Sequence, residues 1–351
     1  MGLKMRVLMT GAGAPGGPGI INCLIKDNNI DLYICDSNPK AIGKFIIPEK
    51  FHKIPKASEN NFIDEIIKLC HKHKIQIILP LVTKELFQFS KNKEYLKNLG
   101  IKVIVSDFKS LEIANDKGNL YRHLSKKNIE LPKFKIVENL TELKNAVTSL
   151  GYPKLPVVIK PCFANGSRGV RILDQKQDRF KLFFNEKPNS IFDNLDNIID
   201  ILSEKRIPRM LISENLPGQE LTVDTIIKNG KIYNLLIRTR DVMRGGISVA
   251  GTFIENNDVS EYITKIINSL PGLSGPVGFQ IKESSKKKYL LLECNPRLQG
   301  SSVAALGLDI NLPIRSLKDN IEDQYSIKKR VSGVSFFKYY KEIFYDNRLS
   351  D

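Results

Sequence analysis

A chain of 351 residues with 42% hydrophobic and 26% charged residues has the composition of an ordinary globular protein, with room for about two or three domains. No stretch approaches the ~18 uncharged apolar residues of a membrane span, and the first apolar run starts too early to follow a signal peptide. We therefore expect a cytoplasmic protein without membrane contact. The net charge of +16 comes from lysines spread along the whole sequence, which disfavours a dedicated nucleic-acid surface.

The first apolar run, KMRVLMT, leads directly into a glycine-rich stretch. Gly11, Gly13 and Gly16 spell G-x-G-x-x-G, and Asp36 ends a second apolar run further along the chain. This spacing is typical of a dinucleotide-binding βαβ unit, in which the acidic residue binds a ribose. By itself it indicates a nicotinamide-dependent (NAD-binding) oxidoreductase, which stands as one alternative function.

Apolar runs and a helical pattern alternate through the first hundred residues. Strands are predicted at 6–10, 32–35, 75–80 and 102–105, and the apolar residues of 62–73 recur at helical spacing. Strands separated by helices indicate a parallel, doubly wound sheet. We therefore expect an α/β domain at the N-terminus.

The character of the chain changes further on. A helix is predicted from near Asp116, strands and helices then mix, and the segment after Arg209 is rich in strands with hairpin turns such as Asn229-Gly230. The alternation of apolar residues in 331–346 predicts edge strands.

The stretch PVVIKPCFANGSRGVRIL combines a lysine with a glycine-rich loop. Lys160 ends an apolar strand, and the loop 165–169 returns into the next strand. Glycines let backbone N–H groups approach an anion, while a lysine supplies a point charge for phosphate. A glycine-rich hairpin with an exposed arginine remains the alternative for this stretch alone.

A second stretch, MLISENLPGQELTVD, turns between two acidic residues. Glu214 ends a strand, the chain turns at Pro217-Gly218, and Glu220 opens another strand. Backbone groups at 214–216 can face an adenine edge, and the Glu220 carboxylate can accept hydrogen bonds from ribose hydroxyls. A hairpin with two exposed acids is the alternative.

The most specific stretch is GFQIKESSKKKYLLLECNPRLQGSS, which is predicted to form a hairpin of two strands. Glu293, Asn295 and Arg297 alternate along one strand and therefore share a face, and Gln280 can lie opposite them. Three oxygen donors of this kind suit Mg²⁺, which completes its coordination with phosphate and water. Arg297 can hold the phosphoryl group as charge develops on it. We therefore predict a metal–phosphate site.

Four segments in order resemble the ATP-grasp superfamily, and are most similar to the ATP-grasp halves of the carbamoyl phosphate synthase large subunit and to the ligase of pyrrolysine biosynthesis. They are DKGNLYRHL (116–124), VVIKPCFANGSRGV (157–170), SENLPGQELTVD (213–224) and LLLECNPRLQGSS (290–302), and the resemblance covers about residues 1–315. It implies an α/β fold with a Rossmann-like N-terminal (pre-ATP-grasp) domain followed by a two-subdomain ATP-grasp α+β fold.

The resemblance also implies domain bounds. These are a pre-ATP-grasp domain at 1–112, a small or lid subdomain at 113–208, a large subdomain with the metal site at 209–317, and C-terminal strands at 318–351 that complete or cap the large subdomain.

Carried over residue by residue, the resemblance assigns three sets of residues. The ATP contacts are Lys117, Lys160, Gly166, Ser167, Gly169, Glu214, Asn215, Leu216 and Glu220. The metal ligands are Gln280, Glu293 and Asn295, for one or two Mg²⁺ ions, and Gln280 replaces the Glu or Asp of many relatives. The implied catalytic residues are Lys160 and Arg297.

Two further groups of residues are assigned to the substrate. In RTRDVMRGGIS (238–248), which has no firm match, Arg240 is a candidate catalytic residue and Arg244 a substrate contact, with plain surface charge as the alternative. Gly11, Gly13 and Gly16 are expected to line a carboxylate pocket through N–H groups at a helix N-terminus.

The resemblance implies an ATP- and Mg²⁺-dependent carboxylate–amine ligase. The implied enzyme forms ADP and works through an acyl phosphate on a small, anionic substrate. The partners are then small-molecule carboxylate and amine substrates, and a homodimer is expected because relatives commonly form one. Phosphorylation of bicarbonate or carbamate, as in carbamoyl phosphate synthase, is the alternative within the same superfamily.

Overall fold

The fold is described from a computed structural model, which covers residues 4–164, 166–185, 191–318 and 332–346. Asn165, one residue of the predicted phosphate loop, and much of the predicted C-terminal segment 318–351 lie outside these ranges.

The N-terminal part alternates strands and helices, as the sequence predicts. Its elements are β1 (Met5–Thr10), α1 (Gly17–Ile25), β2 (Ile30–Asp36), β3 (Phe51–Lys53), α2 (Phe62–His73), β4 (Ile77–Leu79), α3 (Thr83–Lys91), α4 (Lys93–Asn98), β5 (Lys102–Val103) and α5 (Phe108–Ala114), with two short 3-10 helices at Ile42–Phe45 and Pro48–Lys50.

These strands form a five-stranded parallel sheet in the order β3-β2-β1-β4-β5. The central strand β1 carries Val7 beside Leu32 on one neighbour and beside Ile77 on the other. A parallel strand covered on both faces reads as a continuous apolar run, and MRVLMT is such a run. The parallel, doubly wound sheet is confirmed, while β3 escapes prediction because its three residues, FHK, carry no apolar pattern.

The middle of the chain builds a second sheet. Its elements are α6 (Lys117–Lys126), β6 (Phe134–Val137), α7 (Leu140–Ser149), β7 (Val157–Pro161), β8 (Arg171–Leu173), α8 (Arg179–Asn185), β9 (Phe192–Asp193), α9 (Leu195–Ser203) and β10 (Met210–Glu214). The strand order is β6-β10-β7-β8-β9, and β10 pairs antiparallel with both β6 and β7.

The remaining elements are mostly strands, as predicted after Arg209. They are β11 (Glu220–Lys228), β12 (Lys231–Thr239), β13 (Val242–Arg244), β14 (Ile247–Ile254), α10 (Asn257–Ser269), β15 (Gly275–Glu283), β16 (Tyr289–Asn295), α11 (Leu312–Leu317) and β17 (Ser335–Phe337), with a 3-10 helix at Ser302–Leu308. The predicted β11–β12 turn at Asn229-Gly230 is confirmed, because both residues have positive φ. Residues 338–346 are not in a strand, so the predicted edge strand is shorter than its alternation indicates.

The chain divides into two compact units, each built from separated segments. The first unit comprises Met1–Leu111, Leu221–Phe279 and Asn295–Asp351, and the second comprises Glu112–Glu220 and Gln280–Cys294. The four-part domain division predicted from the sequence stays a prediction.

Each unit has its own apolar core. In the first unit, Met9 and Ile21 of the N-terminal sheet and helix pack in one cluster with Leu236 and Phe253 of the later strands. In the second unit, apolar residues of β7 and β10, including Ile159, pack under α7 and α9. Burial of these side chains is the main favourable contribution to folding and fixes the strands that carry the polar groups described next.

Candidate functional site

A pair of lysines and one carboxylate lie together in the second unit. The Lys117 ammonium is 3.3 Å from a carboxylate oxygen of Glu293 and donates a hydrogen bond to the Ala164 carbonyl at 2.8 Å. The Lys160 ammonium donates to the Leu292 carbonyl at 3.3 Å, next to Glu293 along β16. Three residues predicted from separate motifs are thus held by one region of the second unit.

The first of these lysines is placed by a capped helix. Asp116 precedes α6, and its carboxylate accepts a hydrogen bond from the Asn119 N–H at 2.8 Å, the geometry of an N-cap. The same carboxylate forms an ion pair with Arg209 at 2.7 Å. The Lys117 N–H donates to the Cys162 carbonyl, so the start of α6 is also tied to the end of β7. Lys117 is therefore fixed at both its backbone and its side chain.

The second lysine, Lys160, is buried, and its positive charge is disfavoured by burial and by the nearby Lys117. Lys160 lies on β7 with only 6% of its surface exposed. Burial lowers its pKa to about 8, and the nearby Lys117 charge acts in the same direction, while the carboxylates of Glu293 and Glu220 oppose the shift. The Tyr121 ring lies 5.5 Å below the ammonium, and its hydroxyl is bonded to the Leu291 carbonyl at 2.5 Å. A polyphosphate would relieve the repulsion between the two lysines.

The predicted phosphate loop is exposed and has left-handed backbone. Gly166, Ser167 and Gly169 have φ of 63°, 58° and 72°. A Cβ on Gly169 would lie 2.7 Å from a ring carbon of Pro161, so this residue must be glycine for two independent reasons. An exposed loop with such turns can present backbone N–H groups to an anion.

The predicted adenine hinge follows β10. The Glu214 carboxylate accepts a hydrogen bond from the Lys133 N–H at 2.8 Å, and the Asn215 N–H donates to the Pro156 carbonyl at 3.3 Å. Leu216 is buried at 3% exposure, whereas Glu220 is partly exposed at the start of β11. The Glu214 side chain is thus occupied in holding the hinge rather than projecting from it.

The predicted metal ligands have oxygen donors suited to Mg²⁺. Gln280 on β15 and Glu293 on β16 are partly buried residues of the second unit, and Asn295 is a partly buried residue of the first. Within the described residues, no group of three or more His, Cys, Asp or Glu side chains is placed to hold a metal. In the second unit, the Glu293 carboxylate and the Gln280 amide are hard but weakly charged donors, so they fit a Mg²⁺ ion that is already bound to a triphosphate better than a free ion.

The predicted arginines belong to the first unit. Arg297 donates to the Thr83 hydroxyl at 3.1 Å and to the Leu298 carbonyl at 2.9 Å. Arg240 donates to the Thr222 hydroxyl at 2.9 Å and to the Gly246 carbonyl at 3.0 Å. These hydrogen bonds orient both guanidinium groups. Arg244 on β13 is exposed.

The N-terminal glycine loop makes many internal contacts. The Gly13 N–H donates to the Asp36 carboxylate at 2.7 Å, and the other oxygen of that carboxylate accepts from the Asn38 N–H at 2.8 Å. Asp36 thus closes the loop, which is a different use from the ribose contact of a dinucleotide site. Gly11 has φ of 72°, and a Cβ on Gly16 would lie 2.6 Å from the Gly300 Cα, so Gly16 permits a close backbone approach.

Buried polar residues of the first unit were not anticipated from the sequence. The Asp224 carboxylate, 3% exposed, accepts hydrogen bonds from Gln299 at 3.2 Å and Ser302 at 2.8 Å, and forms an ion pair with Arg238 at 3.0 Å. All four residues lie in segments singled out from the sequence, but none of the four was assigned a role; Asp224 and Arg238 lie on the mainly apolar strands β11 and β12. The signal that was available is a charged residue in an otherwise apolar strand, which requires a partner when buried.

A buried carboxyl group also lies at the carboxyl end of β1. Glu85 of α3 accepts a hydrogen bond from the Thr10 hydroxyl, and burial raises the pKa of Glu85 to about 7.

Among the described helices, none is both long enough and apolar enough for a membrane span.

Two family models match this chain. Residues 7–104 match the family described as "PylC-like, N-terminal domain", and residues 206–337 match "ATP-grasp in the biosynthetic pathway with Ter operon". The first match covers the parallel sheet, and the second includes Glu293, Asn295 and Arg297.

Curated relatives and solved structures agree with these matches. The chain is 23% identical over 290 residues to the carbamoyl phosphate synthase large chain of Clostridium perfringens, which covers 79% of this chain and 25% of that protein. The chain therefore spans about a quarter of the length of such relatives.

Two solved structures share its fold. The N5-carboxyaminoimidazole synthetase from Staphylococcus aureus, complexed with ADP, has a TM-score of 0.63 at 14% identity, covering 87% of this chain and 74% of that one. The biotin carboxylase domain dimer of the Hydrogenobacter thermophilus 2-oxoglutarate carboxylase, in complex with MgADP, ADP and bicarbonate, has a TM-score of 0.65 at 14% identity, covering 92% and 71%.

The fold and these matches define the class of protein that the chain resembles: it has an ATP-grasp fold, and residues 206–337 match an ATP-grasp family model. Its N-terminal part is similar to the PylC-like N-terminal domain, and most of the chain is similar to part of the carbamoyl phosphate synthase large chain.

Proposed function

We propose that the chain is an ATP- and Mg²⁺-dependent ligase that joins a small, anionic carboxylate to an amine and releases ADP and phosphate. The observation that carries this proposal is the buried cluster of Lys117, Lys160 and Glu293. Two lysines that share one carboxylate favour a polyanion as their natural partner, because it would offset both the repulsion and the burial of charge.

The reaction divides into two displacements. A carboxylate oxygen of the substrate attacks the γ-phosphorus, the bond from that phosphorus to the β–γ bridging oxygen breaks, and ADP leaves with the electron pair. The amine nitrogen then attacks the acyl carbon, the bond from that carbon to the phosphate oxygen breaks, and the nitrogen loses a proton. The products are an amide-type bond, ADP and inorganic phosphate.

The residues of this chain have mainly electrostatic and positioning roles in the proposal. Lys117 and Lys160 hold phosphate oxygens, Glu214 to Leu216 form the adenine hinge, and Glu220 receives the ribose. Arg297 stabilises the phosphoryl group in transfer and Arg240 the acyl phosphate or substrate carboxylate. Such preorganised charges lower the barrier without a covalent protein intermediate.

Mg²⁺ would be held by Gln280, Glu293 and Asn295 and would neutralise phosphate charge when bound. The role of Glu293 would then change, since its carboxylate lies against Lys117 in this structure. The loop 166–169 would cover the phosphates and exclude water from the acyl phosphate. Gly166 and Gly169 have positive φ, which allows the tight turns of this loop. Gly11, Gly13, Gly16 and Arg244 are proposed to contact the substrate, and a homodimer is the proposed assembly.

The proposal is tested with the variant Glu293→Ala. We expect ADP release to fall to background, because the only carboxylate of the proposed metal site is lost. Urea unfolding checks that the variant is folded, since Glu293 also pairs with the buried Lys117 and its loss is expected to be destabilising. The matched control is Glu283→Ala, which removes a partly exposed carboxylate of the neighbouring strand β15 and should keep activity. Normal turnover by Glu293→Ala would show that the metal assignment is wrong.

Similarity to carbamoyl phosphate synthase supports a second candidate within the same chemistry, in which bicarbonate replaces the carboxylate. The two are separated by assaying ADP release with bicarbonate alone and with libraries of carboxylates and amines. ADP release that depends on bicarbonate and ammonia would favour the second candidate.

A further inference from the structure

A fully buried arginine in the first unit has an unused donor. Arg238 on β12 is 0% exposed; its Nε donates to the Asp224 carboxylate at 3.0 Å and one terminal nitrogen donates to the Ser301 hydroxyl at 2.7 Å. Its other terminal nitrogen is buried and has no hydrogen-bond partner among the described residues. The guanidinium carbon lies 5.5 Å from the centre of the Phe336 ring. A buried N–H donor of a charged group that makes no hydrogen bond is costly, so a hydrogen-bond acceptor at this nitrogen would be favoured.

A second cation reaches the same place from the C-terminal segment. Lys338 follows β17, and its backbone N–H donates to the Val249 carbonyl at 2.7 Å, which fixes the segment against β14. The Lys338 ammonium donates to the Gly300 carbonyl, next to Ser301. The Arg238 and Lys338 side chains therefore donate to neighbouring residues, Ser301 and Gly300. Burial and then the charge of Arg238 lower the pKa of Lys338 to about 8, while Asp224 opposes the shift.

The charges of this cluster do not balance. Arg238 and Lys338 contribute two positive charges, and Asp224 contributes one negative charge that already accepts hydrogen bonds from Gln299 and Ser302. A bound anion would remove the excess positive charge, would accept the unused Arg238 donor and would raise the pKa of Lys338 toward its ordinary range.

We propose that Arg238 and Lys338 form a subsite for an anionic group of the substrate, a carboxylate or a phosphate, separate from the carboxylate that is activated. The subsite adjoins the N-terminal glycine loop, since a Cβ on Gly16 would lie 2.6 Å from the Gly300 Cα. A substrate that fills both places therefore carries at least two anionic groups. The identity of the occupant as a substrate rests on the proposed ligase function, whereas anion binding itself does not.

The experiment uses the full chain and two simple probes, inorganic phosphate and succinate, each titrated in the millimolar range at constant ionic strength. Thermal unfolding is measured for the wild type and for Lys338→Met, with Lys341→Met as the matched control because Lys341 is an exposed lysine of the same segment. Lys160→Met reports any binding of phosphate at the proposed nucleotide site. General salt effects on stability are common to all variants and cancel in the comparison.

We expect at least one probe to raise the melting temperature of the wild type, Lys341→Met and Lys160→Met, with an apparent affinity about tenfold weaker in Lys338→Met. The more effective probe identifies the group as phosphate or carboxylate. No response in the wild type, or an equal response in Lys338→Met, overturns the proposal.

Mg²⁺·ATP is titrated onto the same variants to keep the two proposals distinct. Lys338→Met is expected to bind it as the wild type does. Anion binding without nucleotide binding would contradict the proposed ligase function and support the anion subsite. Nucleotide binding without anion binding would support the ligase function and contradict the subsite.

Discussion

The Lys160 ammonium lies among charges of both signs whose effects are strengthened by burial. Its depressed pKa of about 8 means that the free protein holds this lysine partly neutral near neutral-to-alkaline pH. A phosphate oxygen requires the protonated form as a donor. Nucleotide binding and proton binding at Lys160 are therefore expected to be coupled.

The first prediction concerns the pH dependence that follows. The folded pKa of about 8 is below the ordinary value of 10.5, so the unfolded chain holds more protons between these values. Relative to Lys160→Met, the stability of the free wild type should then rise with pH across that interval. The affinity for Mg²⁺·ATP should change in the opposite sense, falling by up to about tenfold for each pH unit above the folded pKa.

Calorimetric titration at several pH values measures this affinity. Lys160→Arg is the diagnostic variant, because a guanidinium stays protonated and should keep its affinity flat through the same pH range. Lys154→Met, which removes an exposed lysine of the same unit, should follow the wild type. An equal fall in affinity for Lys160→Arg would assign the titration to another group.

Gly278→Ala tests the buried polar cluster of the first unit. A Cβ on Gly278 would lie 2.0 Å from the amide nitrogen of Gln299, which donates to Asp224. We expect a loss of about 2–4 kcal/mol in the free energy of unfolding, because the amide must move and leave a buried carboxylate short of a donor. Urea unfolding measures it. Gly300→Ala is the control, since its Cβ would have no contact closer than 3.7 Å; a similar loss in both variants would contradict the account.

At the level of single residues, the sequence predicts the site residues that lie within recognisable motifs. Lys117, Lys160 and Glu293 come from separate motifs, and the structure brings them together. Arg238 and Lys338 were missed because nothing local to either residue reveals burial or a shared partner. Both donate to the segment Gly300–Ser301, which is distant from each of them in sequence, so their arrangement is a tertiary property.

Helix α6 shows how an element places a functional side chain. Its N-cap Asp116 both bonds the Asn119 N–H and pairs with Arg209, so one side chain fixes the helix start and ties it to the strand β10 region. A helix beginning near this residue was predicted and is confirmed. The short strand β3 was not, because a three-residue strand beside an existing sheet needs no apolar pattern of its own.

Asp116→Ala should therefore cost about 1–2 kcal/mol of unfolding free energy and weaken Mg²⁺·ATP binding by freeing the first turn that carries Lys117. Asp116→Asn keeps a capping oxygen but loses the charge, so it should recover most of the stability. Thermal unfolding and calorimetric titration measure the two effects. Wild-type nucleotide affinity in Asp116→Ala would show that the cap does not position Lys117.

The whole molecule is assembled from segments that are distant in sequence. Residues 280–294 belong with 112–220, and the strands between them belong with the N-terminal sheet. Local patterns predicted the individual elements and the parallel sheet well, because periodicity is a local property. They could not predict that residues 280–294 rejoin residues 112–220, because this depends on which apolar surfaces pack together in the folded chain.

The most direct measurement of the central claim is a nucleotide panel on the intact chain. Mg²⁺·ATP at a hundredfold excess over its dissociation constant should stabilise the folded state by about 2.7 kcal/mol, seen as a higher melting temperature, and Lys160→Met should lose most of this gain. NAD(H) should produce no shift, because Asp36 is already bonded to the glycine loop. A shift with NAD(H) and none with Mg²⁺·ATP would contradict the assignment of the Lys117, Lys160 and Glu293 cluster as a nucleotide site.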